Sequence, residues 1–297
     1  MSLPLPVDYA PMEADTAREI PTGPEWEYEP KWDGFRCVAF RDGKHAHLSS
    51  KAGQPLARYF PEIVEAVLAL EANKFVVDGE LIVTQERRLD FDALLQRIHP
   101  AESRIRKLSK ETPATYVLFD LLVNDKGADL TGKILDQRRE ELERFAKTYL
   151  KGSERIRLSP RTRDFDTAKA WFKRMAGPLD GVIAKRVDRP YESGERNAMV
   201  KIKNLRTADC VVGGFRYGSK KKLVGSLLLG LYDDAGLLNH VGFTSGIASA
   251  EKPELTKKLE ALIEGPGFTG SAPGGPSRWS TERSTEWEPL KPKLVVE

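Results

Sequence analysis

One lysine, Lys31, lies in a stretch that constrains the start of the chain to a strand, a tight turn and a second strand. The stretch is Glu29-Pro30-Lys31-Trp32-Asp33-Gly34-Phe35-Arg36, and an apolar run at residues 37–40 follows it directly. The pair Asp33-Gly34 is a turn signal, and the apolar residues after it favour a buried strand. We therefore predict that Lys31 lies at the rim of a buried sheet.

A lysine in such a position can act as a nucleophile if its surroundings favour the neutral amine. An ordinary lysine titrates near pH 10.4, so only about one side chain in a thousand is neutral at pH 7, a deficit of roughly 4 kcal/mol. Nearby cations, a metal ion or a low dielectric reduce that deficit. The function therefore depends on whether the chain also supplies cations, carboxylates and an apolar slot for a ligand.

Composition leaves room for two domains and excludes several protein classes. The 297 residues are 40% hydrophobic and 31% charged, and no window approaches the ~20 apolar residues of a membrane span. Forty-seven basic residues nearly cancel 44 acidic ones, so a polyanion partner is allowed but not required. Cys37, Cys210 and four scattered histidines provide neither a disulfide framework nor a metal-ligand spacing. We expect a reduced, cytoplasmic protein without a signal peptide.

The hydrophobic pattern predicts an α+β domain over the first two thirds of the chain. Strands are predicted at residues 45–50, 75–83, 115–123, 156–158, 180–185 and 199–203, and helices at residues 61–70, 91–98, 134–150 and 166–175. Residues 1–24, rich in proline and acidic side chains, are predicted to wrap a surface without regular structure. The basic stretch 104–107 is predicted to be a loop.

The sequence changes character near residues 204–208, where we place a domain boundary. Short apolar runs separated by glycines follow at residues 210–215, 226–232 and 240–243, and they predict a small β-barrel. Residues 266–276 are rich in glycine, proline and serine, which indicates a loop inserted in that barrel. The predicted domains are residues 1–204 and 205–297.

Polar side chains interrupt several of the apolar strands. Asp78 and Glu80 flank a glycine and would share one face of their strand, as would Lys201 and Lys203. Each has a plain explanation, such as a solvated face or an edge strand blocked by lysine. The tetrad Lys-x-Asp-Gly is itself expected by chance at roughly one position in several thousand.

The joint content of these motifs favours chemistry on a nucleotide. A lysine nucleophile, a second cation pair, separated carboxylates and an aromatic slot are what is needed to hold a nucleoside triphosphate and attack its α-phosphate with metal assistance. Asp180 begins one of the predicted strands. Lys185 would lie on the opposite face from Asp180 in a regular strand, which makes Lys185 the weaker candidate.

The order of the motifs resembles that of the covalent nucleotidyltransferases, which include ATP-dependent DNA ligases, RNA ligases and mRNA capping enzymes. The motifs are Glu-x-Lys-x-Asp-Gly-x-x-Arg, Asp-Gly-Glu, Phe-Asp, Asp-Gly-Val-Ile-Ala-Lys and Lys-Ile-Lys. The resemblance covers nearly the whole chain, and residues 26–36 are most similar to the compact bacterial ATP-dependent DNA ligases linked to end joining and repair. It implies a nucleotidyltransferase domain of ATP-grasp-like antiparallel sheets with helices, followed by an all-β OB-fold.

The resemblance also implies roles for individual residues. Lys31 would attack ATP and carry the AMP. The residues that would hold the nucleotide are Glu29 at the adenine, Arg36 and Glu80 at the ribose, Phe119 and Val182 on the two faces of the base, and Lys201 and Lys203 at the α-phosphate. Asp180, where the family usually has glutamate, would serve a magnesium or manganese ion together with Glu80. Lys51 stands where many relatives carry arginine for the nick phosphate, and lysine lacks the bidentate fork of arginine.

One family motif has no match in the sequence. In relatives, an arginine with a nearby Asp-Lys late in the OB-fold orients the pyrophosphate leaving group, whereas residues 278–283 contain no Asp-Lys. We therefore expect the OB-fold at residues 205–297 to lack its C-terminal end. If the protein truly ended there, lysine adenylylation would be slow, while sealing by an already adenylylated enzyme would survive.

The resemblance thus implies an enzyme, an ATP-dependent DNA ligase that seals 3′-hydroxyl/5′-phosphate nicks through a covalent lysyl-AMP. Its expected partners are nicked double-stranded DNA and repair or end-joining proteins, and it is expected to be a monomer without membrane association. Two alternatives remain open. One is an RNA ligase or a GTP-dependent capping-type enzyme, and the other is a non-catalytic OB-fold nucleic-acid binder with a decayed core.

Overall fold

The computed structural model describes residues 2–86, 88–174, 180–203, 207–218, 223–274 and 286–297. Contacts divide the chain into two compact units, Met1–Asn204 and Leu205–Glu297. Among the described residues, none of the helices has the length and apolar character needed to cross a membrane. The first unit is an α+β unit whose elements follow in chain order.

These elements are β1 (Asp15–Thr16), β2 (Trp26–Lys31), β3 (Phe35–Asp42), β4 (His45–Ser50), α1 (Pro61–Ala69), β5 (Lys74–Ile82), β6 (Thr84–Gln85), β7 (Arg88–Leu89), α2 (Phe91–Leu95), α3 (Glu102–Glu111), β8 (Thr115–Val123), α4 (Leu135–Tyr149), β9 (Ile156–Leu158), α5 (Phe165–Arg174), β10 (Gly181–Arg186) and β11 (Met199–Lys203). The strands form two main sheets and one small hairpin, β6–β7.

The larger sheet has five strands in the order β4-β3-β5-β8-β9, antiparallel except for the parallel pair β8–β9. Its two faces are both buried. Val77 belongs to a core cluster that contains Ile63 of α1 and Leu142 of α4, whereas Val38 and Val76 belong to a second cluster on the other face. Because successive residues of a strand point to opposite faces, burial of both faces produces the nearly continuous apolar runs seen in the sequence.

The second sheet has four strands in the order β1-β11-β10-β2. One face packs on α5, with Tyr28, Val182 and Ala168 in a shared cluster. The short strand β1 pairs in parallel with β11, so β11 is an interior strand and not an edge strand. The expectation of irregular structure throughout residues 1–24 was therefore wrong at β1.

The turn between β2 and β3 requires glycine at Gly34. A Cβ atom there would lie 2.1 Å from the carbonyl oxygen of Leu81, far inside any van der Waals contact. The absence of a side chain lets the turn pass against the end of β5. This close approach places Lys31, at the end of β2, beside the strand that carries Glu80.

The stretch 104–107 is helical and not a loop, because it forms the middle of α3. Ile105 is fully buried and anchors the helix to the core. The charged residues around it are exposed and form two pairs at the i,i+4 spacing, Glu102 with Arg106 and Lys107 with Glu111. Such pairs support a helix that has only a narrow apolar side.

The second unit contains β12 (Cys210–Tyr217), β13 (Val224–Tyr232), β14 (Leu238–Thr244), α6 (Lys252–Glu260), β15 (Glu288–Pro289) and β16 (Val295–Val296). Its antiparallel strands run in the order β14-β13-β12-β15, and β16 also pairs with β12. The expected purely β architecture was wrong, because α6 packs Leu259 into the core beside Phe215.

The predicted loop has neither helix nor strand at residues 266–274. Its last two residues, 275–276, lie outside the described part of the chain. So do three other stretches that the sequence analysis used, namely residue 175 of a predicted helix, residues 204–206 of the boundary, and residues 278–283.

Candidate active site

A pocket opens between the two sheets of the first unit and gathers most of the residues singled out by the sequence. Both sheets and the N-terminal segment line it, through Met12, Glu13, Ala14, Glu29, Lys31, Trp32, Arg36, Lys51, Glu80, Phe119, Ile183, Lys185, Met199 and Lys201.

Lys31 lies in the wall of this pocket, in contact with a carboxylate. Its Nζ atom forms a charged hydrogen bond with Asp180. Strand pairing fixes this contact, because Gly181 lies opposite Lys31 in the register of β10 and β2, and the Asp180 N–H donates to the Lys31 carbonyl at 3.2 Å. The Nζ atom of Lys203 also lies 3.5 Å from Asp180. Asp180 is thus shared by two lysines.

Glu29 also lines the pocket. It precedes Lys31 by two residues on β2, so it points the same way, and it is almost fully buried. Its Oε1 atom accepts from Lys185 Nζ at 2.7 Å and from Arg139 Nη1 at 3.5 Å. Arg139 is itself held by the carbonyl of Ser159 at 2.6 Å. The carboxylate of Glu29 is therefore fixed in place before any ligand arrives.

The structure brings Lys185 into the pocket, although the sequence made it the weaker candidate. Besides its bond to Glu29, the Lys185 Nζ atom lies 4.6 Å from the centroid of the Phe119 ring. The sequence analysis placed Lys185 on the opposite face from Asp180 by strand alternation. Asp180 precedes the first residue of β10, so strand alternation does not apply to it. The Lys at the end of the Asp-Gly-Val-Ile-Ala-Lys motif was the signal that could have found this residue.

Phe119 reaches the pocket through a β-bulge. Asp78 of β5 pairs with Asp120 and Gly79 pairs with Leu118, so the residue between them has no partner in the register. Bulges redirect side chains in this way, often beside active sites. The ring of Phe119 is half-buried and forms a flat apolar surface between two cations, Lys185 and Arg36, whose guanidinium carbon lies 4.5 Å from its centroid.

Arg36 is fixed by the buried carboxylate of Asp78. Its Nε and Nη2 atoms donate to the two oxygens of Asp78 at 2.6 and 2.5 Å, and Nη2 also donates to the Met12 carbonyl at 3.2 Å. Tyr191 donates to the same carboxylate at 2.6 Å. Burial disfavours the charged guanidinium, but the charge and hydrogen bonds of Asp78 more than compensate and raise the pKa of Arg36.

Glu80 lies opposite Arg36 in the strand register and carries a perturbed carboxyl group. Burial raises the pKa of Glu80 to about 8, against the opposing charges of Arg36 and Lys31. The group is therefore largely protonated at neutral pH in the absence of a ligand. A neutral carboxyl can both donate and accept hydrogen bonds, as a sugar hydroxyl requires.

Two further lysines face the pocket from opposite sides. Lys201 donates to the carbonyl of Ala14 at 3.3 Å, and Lys51 lies 2.9 Å from the carboxylate of Glu13. Lys203 is not among the residues that line the pocket and reaches the site only through Asp180. Of the predicted pair, Lys201 thus lines the pocket and Lys203 does not.

The structure does not bring Val182 to the pocket. Val182 is fully buried in the cluster with Tyr28 and Ala184, on the face of the sheet that packs on α5. Its neighbour Ile183 lines the pocket instead. The prediction that Val182 covers the second face of the base was therefore wrong. Successive residues of β10 point to opposite faces of the sheet, and the prediction chose the residue next to the one that faces the pocket.

The carboxylates of the site were tested as metal ligands. In the stretches that the structure describes, there is no group of three or more His, Cys, Asp or Glu side chains that could hold a metal ion. Asp180 and Glu80 offer hard oxygen donors near Lys31. Magnesium commonly uses one or two carboxylates and completes its shell with substrate phosphates and water. This donor set therefore fits a magnesium or manganese ion that arrives with a nucleotide.

The arrangement as a whole has a clear chemical capacity. An amine, further cationic side chains, a flat aromatic ring and a fixed carboxylate surround one pocket between two sheets. Such a set of groups is suited to binding a nucleotide. The fold and the site together define a nucleotidyltransferase domain.

Comparisons with known proteins narrow this class. Residues 11–203 match the family model described as the ATP dependent DNA ligase domain. DNA ligase C of Mycobacterium tuberculosis is 41% identical over 312 aligned residues, which cover 100% of this chain and 86% of that protein. DNA ligase C2 of Mycolicibacterium smegmatis is 40% identical, again over 100% of this chain and 86% of that protein.

Solved structures agree with the family match. A mycobacterial DNA ligase D complexed with ATP and MES superposes with a TM-score of 0.55 at 26% identity, covering 97% of this chain and 88% of that one. The chain therefore belongs to the ATP-dependent DNA ligases. Among them it is similar to the mycobacterial DNA ligases C along its whole length.

Proposed function

We propose that the protein seals nicks in double-stranded DNA in three phosphoryl transfers, with Lys31 as the nucleophile of the first. The Lys31 amine attacks the α-phosphorus of ATP, a P–N bond forms, and pyrophosphate leaves. The 5′-phosphate of the nick then attacks the same phosphorus and releases Lys31. Finally, the 3′-hydroxyl attacks the 5′-phosphorus and AMP leaves. The observation that carries this proposal is the position of Lys31 in the wall of a pocket that Glu29, Phe119 and Lys201 also line.

Each pocket residue has a role in binding the nucleotide. Glu29, held by Lys185 and Arg139, is positioned to accept from the exocyclic amine of adenine, which guanine lacks at that place. Phe119 would stack on one face of the base, and Ile183, which lines the pocket, would cover the other face in place of Val182. Arg36 and Glu80 would hold the ribose hydroxyls. Lys201 and Lys203 would offset the α-phosphate charge.

Asp180 and Glu80 would hold a magnesium or manganese ion together with the phosphates. The ion supplies charge stabilisation at the phosphoryl oxygens when it is bound. Binding of a cation by Glu80 requires the loss of its proton, so metal affinity should fall at low pH. Asp180 meanwhile orients the Lys31 side chain through their direct contact.

The remaining expectations concern DNA and the cell. Lys51 would bind the 5′-phosphate of the nick. The second unit, whose antiparallel sheet has β15 and β16 along the same side of β12, would be the OB-fold that grips the duplex backbone, so binding should weaken with salt. Relatives named for non-homologous end joining support a role in DNA repair, alongside end-joining proteins. We retain the expectation of a cytoplasmic monomer.

Transfer of label from α-labelled ATP to the protein, followed by denaturing electrophoresis, tests the first step. We expect label on the wild-type protein and an intact-mass increase of one AMP that pyrophosphate reverses. Lys31→Ala should carry no label. Lys44→Ala, in the exposed turn between β3 and β4, is the matched control and should label normally.

The substrate is tested with nicked duplexes of DNA or RNA strands. We expect sealing when the 5′-phosphate strand is DNA. Label acquired only from GTP, or sealing confined to RNA nicks, would contradict the proposal. A Lys31→Ala protein with undiminished sealing would also contradict it.

A further inference from the structure

One pocket residue has no part in the chemistry described so far, namely the carboxylate of Glu13 at the mouth. Its Oε2 atom lies 2.9 Å from Lys51 Nζ, 2.7 Å from Arg196 Nη2 and 2.9 Å from Arg196 Nε. The two cations come from distant parts of the sequence, the turn after β4 and the loop before β11. They converge on this single anion.

The carboxylate is not needed to hold its own segment in place. The Glu13 N–H donates to the Glu195 carbonyl at 2.8 Å, and the Met12 N–H donates to the Tyr191 hydroxyl at 3.0 Å. The hydroxyl of Ser193 donates to the Ala10 carbonyl at 2.7 Å. Because these bonds secure residues 10–13, the Glu13 side chain can swing away while the backbone stays fixed.

The chemistry around Glu13 is that of a phosphate site. Hydrogen bonds from Lys51, and then from Arg196, keep the pKa of Glu13 below its ordinary value, so it remains an anion. Arg196 offers two N–H groups in a fork, the geometry that lysine at position 51 lacks. Both cations are more than half exposed, at 56% for Lys51 and 62% for Arg196. Exposed pairs of this kind are weak enough for a competing dianion to displace the carboxylate.

We propose that Glu13 is an internal competitor that occupies Lys51 and Arg196 until the 5′-phosphate of a nick displaces it. The inference rests on the proposed function of Lys51 and adds the competitor and the second cation. Displacement exchanges a monoanion for a phosphate dianion on the same two cations. Glu13 thereby lowers the affinity of the two cations for every anion that has to displace it.

Removal of the Glu13 charge should increase the affinity of the protein for a nick that carries a 5′-phosphate. Affinities are measured for two nicked duplexes that differ only in a 5′-phosphate or a 5′-hydroxyl, without ATP and with chelator so that no chemistry occurs. We expect Glu13→Gln to increase the affinity ratio of phosphate over hydroxyl about fivefold, which corresponds to roughly 1 kcal/mol. The ratio cancels the general gain in DNA affinity from one fewer negative charge.

Two further variants separate competition from a structural role. Glu102→Gln removes an equally charged partner from an exposed arginine pair on α3 and should leave the ratio unchanged. In an Arg196→Ala background, Glu13→Gln should increase the affinity ratio of phosphate over hydroxyl less than twofold, since the energetic effects of residues in contact are coupled. The proposal is overturned if Glu13→Gln leaves the affinity ratio unchanged or lowers it. It is also overturned if Glu13→Gln increases the ratio by as much in the Arg196→Ala background as in the wild type.

The polyphosphate of ATP is the other anion that could reach these cations. A lower KM for ATP in lysyl-AMP formation by Glu13→Gln, with an unchanged nick ratio, would assign the cations to ATP and overturn the proposal. Failure of the proposed function is a different result, because the wild-type protein would then form no lysyl-AMP. Lysyl-AMP formation by the wild type together with an unchanged ratio would overturn only the role of Glu13.

Discussion

The ion pair between Asp120 and Arg138 yields the sharpest prediction about the framework of the site. Arg138 of α4 donates from Nε and Nη2 to the two oxygens of Asp120 on β8, both at 2.9 Å, and the side chains are 0% and 4% exposed. The pair fixes α4 to the strand next to the Phe119 bulge. Asp120→Ala would leave a buried guanidinium that hydrogen-bonds the carbonyl oxygens of Lys133 at 2.6 Å and Arg189 at 3.3 Å and lies over the Tyr191 ring, with no carboxylate partner.

The expected loss of stability is large. Two charges about 4 Å apart at an effective dielectric constant of about 20 interact by roughly 4 kcal/mol, which agrees with the ~3–5 kcal/mol lost when one partner of a buried pair is removed. In urea, with a slope of about 2 kcal/mol per molar, the unfolding midpoint of the first unit should fall by about 2 M. Asp120→Leu combined with Arg138→Met should recover most of this loss, because no charge then stays buried.

The control is the same chemistry on the surface. Arg186 and Asp188 also form a two-bond pair, at 2.9 and 2.7 Å, but these side chains are 32% and 51% exposed. Asp188→Ala should cost at most about 1 kcal/mol. The reasoning would be refuted if the urea midpoint of Asp120→Ala fell no further below wild type than that of Asp188→Ala. It would also be refuted if the double variant Asp120→Leu with Arg138→Met were no more stable than Asp120→Ala.

Two more predictions concern the pocket and its charge network. Phe119→Ala should raise the KM for ATP in lysyl-AMP formation about tenfold, because base stacking on an aromatic ring is worth roughly 1–3 kcal/mol. Phe119→Trp keeps an aromatic ring and should leave the KM near that of the wild type. Equal KM values for the two variants would exclude stacking. Burial raises the pKa of Glu27 above its ordinary 4.5, and the nearby charge of Glu29 raises it further. The folded state therefore holds this proton more tightly than the unfolded state does. As the pH rises from below 4.5 through the pKa of the folded state, the protein loses this contribution to its stability. Glu27→Gln lacks this loss, so its urea midpoint relative to wild type should rise between about pH 4 and about pH 7, and a constant difference would refute the assignment.

Local sequence signals predicted most of the elements. The apolar runs marked β5 and β8 because a sheet buried on both faces leaves few polar positions, and the Asp-Gly pair marked the turn after Lys31. The same signals failed at α3, whose single buried anchor, Ile105, is too little to reveal a helix in a charged stretch. They also failed at β1, because a two-residue strand exists only through its partner β11.

Of the site, the sequence by itself determined the chemical inventory. It indicated Lys31, the carboxylates and the cations, and their order marked the family that the comparisons confirmed. It could not determine which of them meet, because strand phase and bulges depend on partners far away in the chain. Val182 was predicted to face the base, but the register of β10 against β2 turns Ile183 and Lys185 to the pocket.

Only the tertiary structure decided the surroundings of these residues. The pairing of Glu13 with Lys51 and Arg196 joins segments about 40 and 180 positions apart, and the raised pKa of Glu80 depends on burial by two sheets. Hydrophobic periodicity is a property of neighbours along the chain, so it specifies the elements of this ligase. Electrostatic pairing is a property of neighbours in space, so the working site is specified only once the sheets have packed.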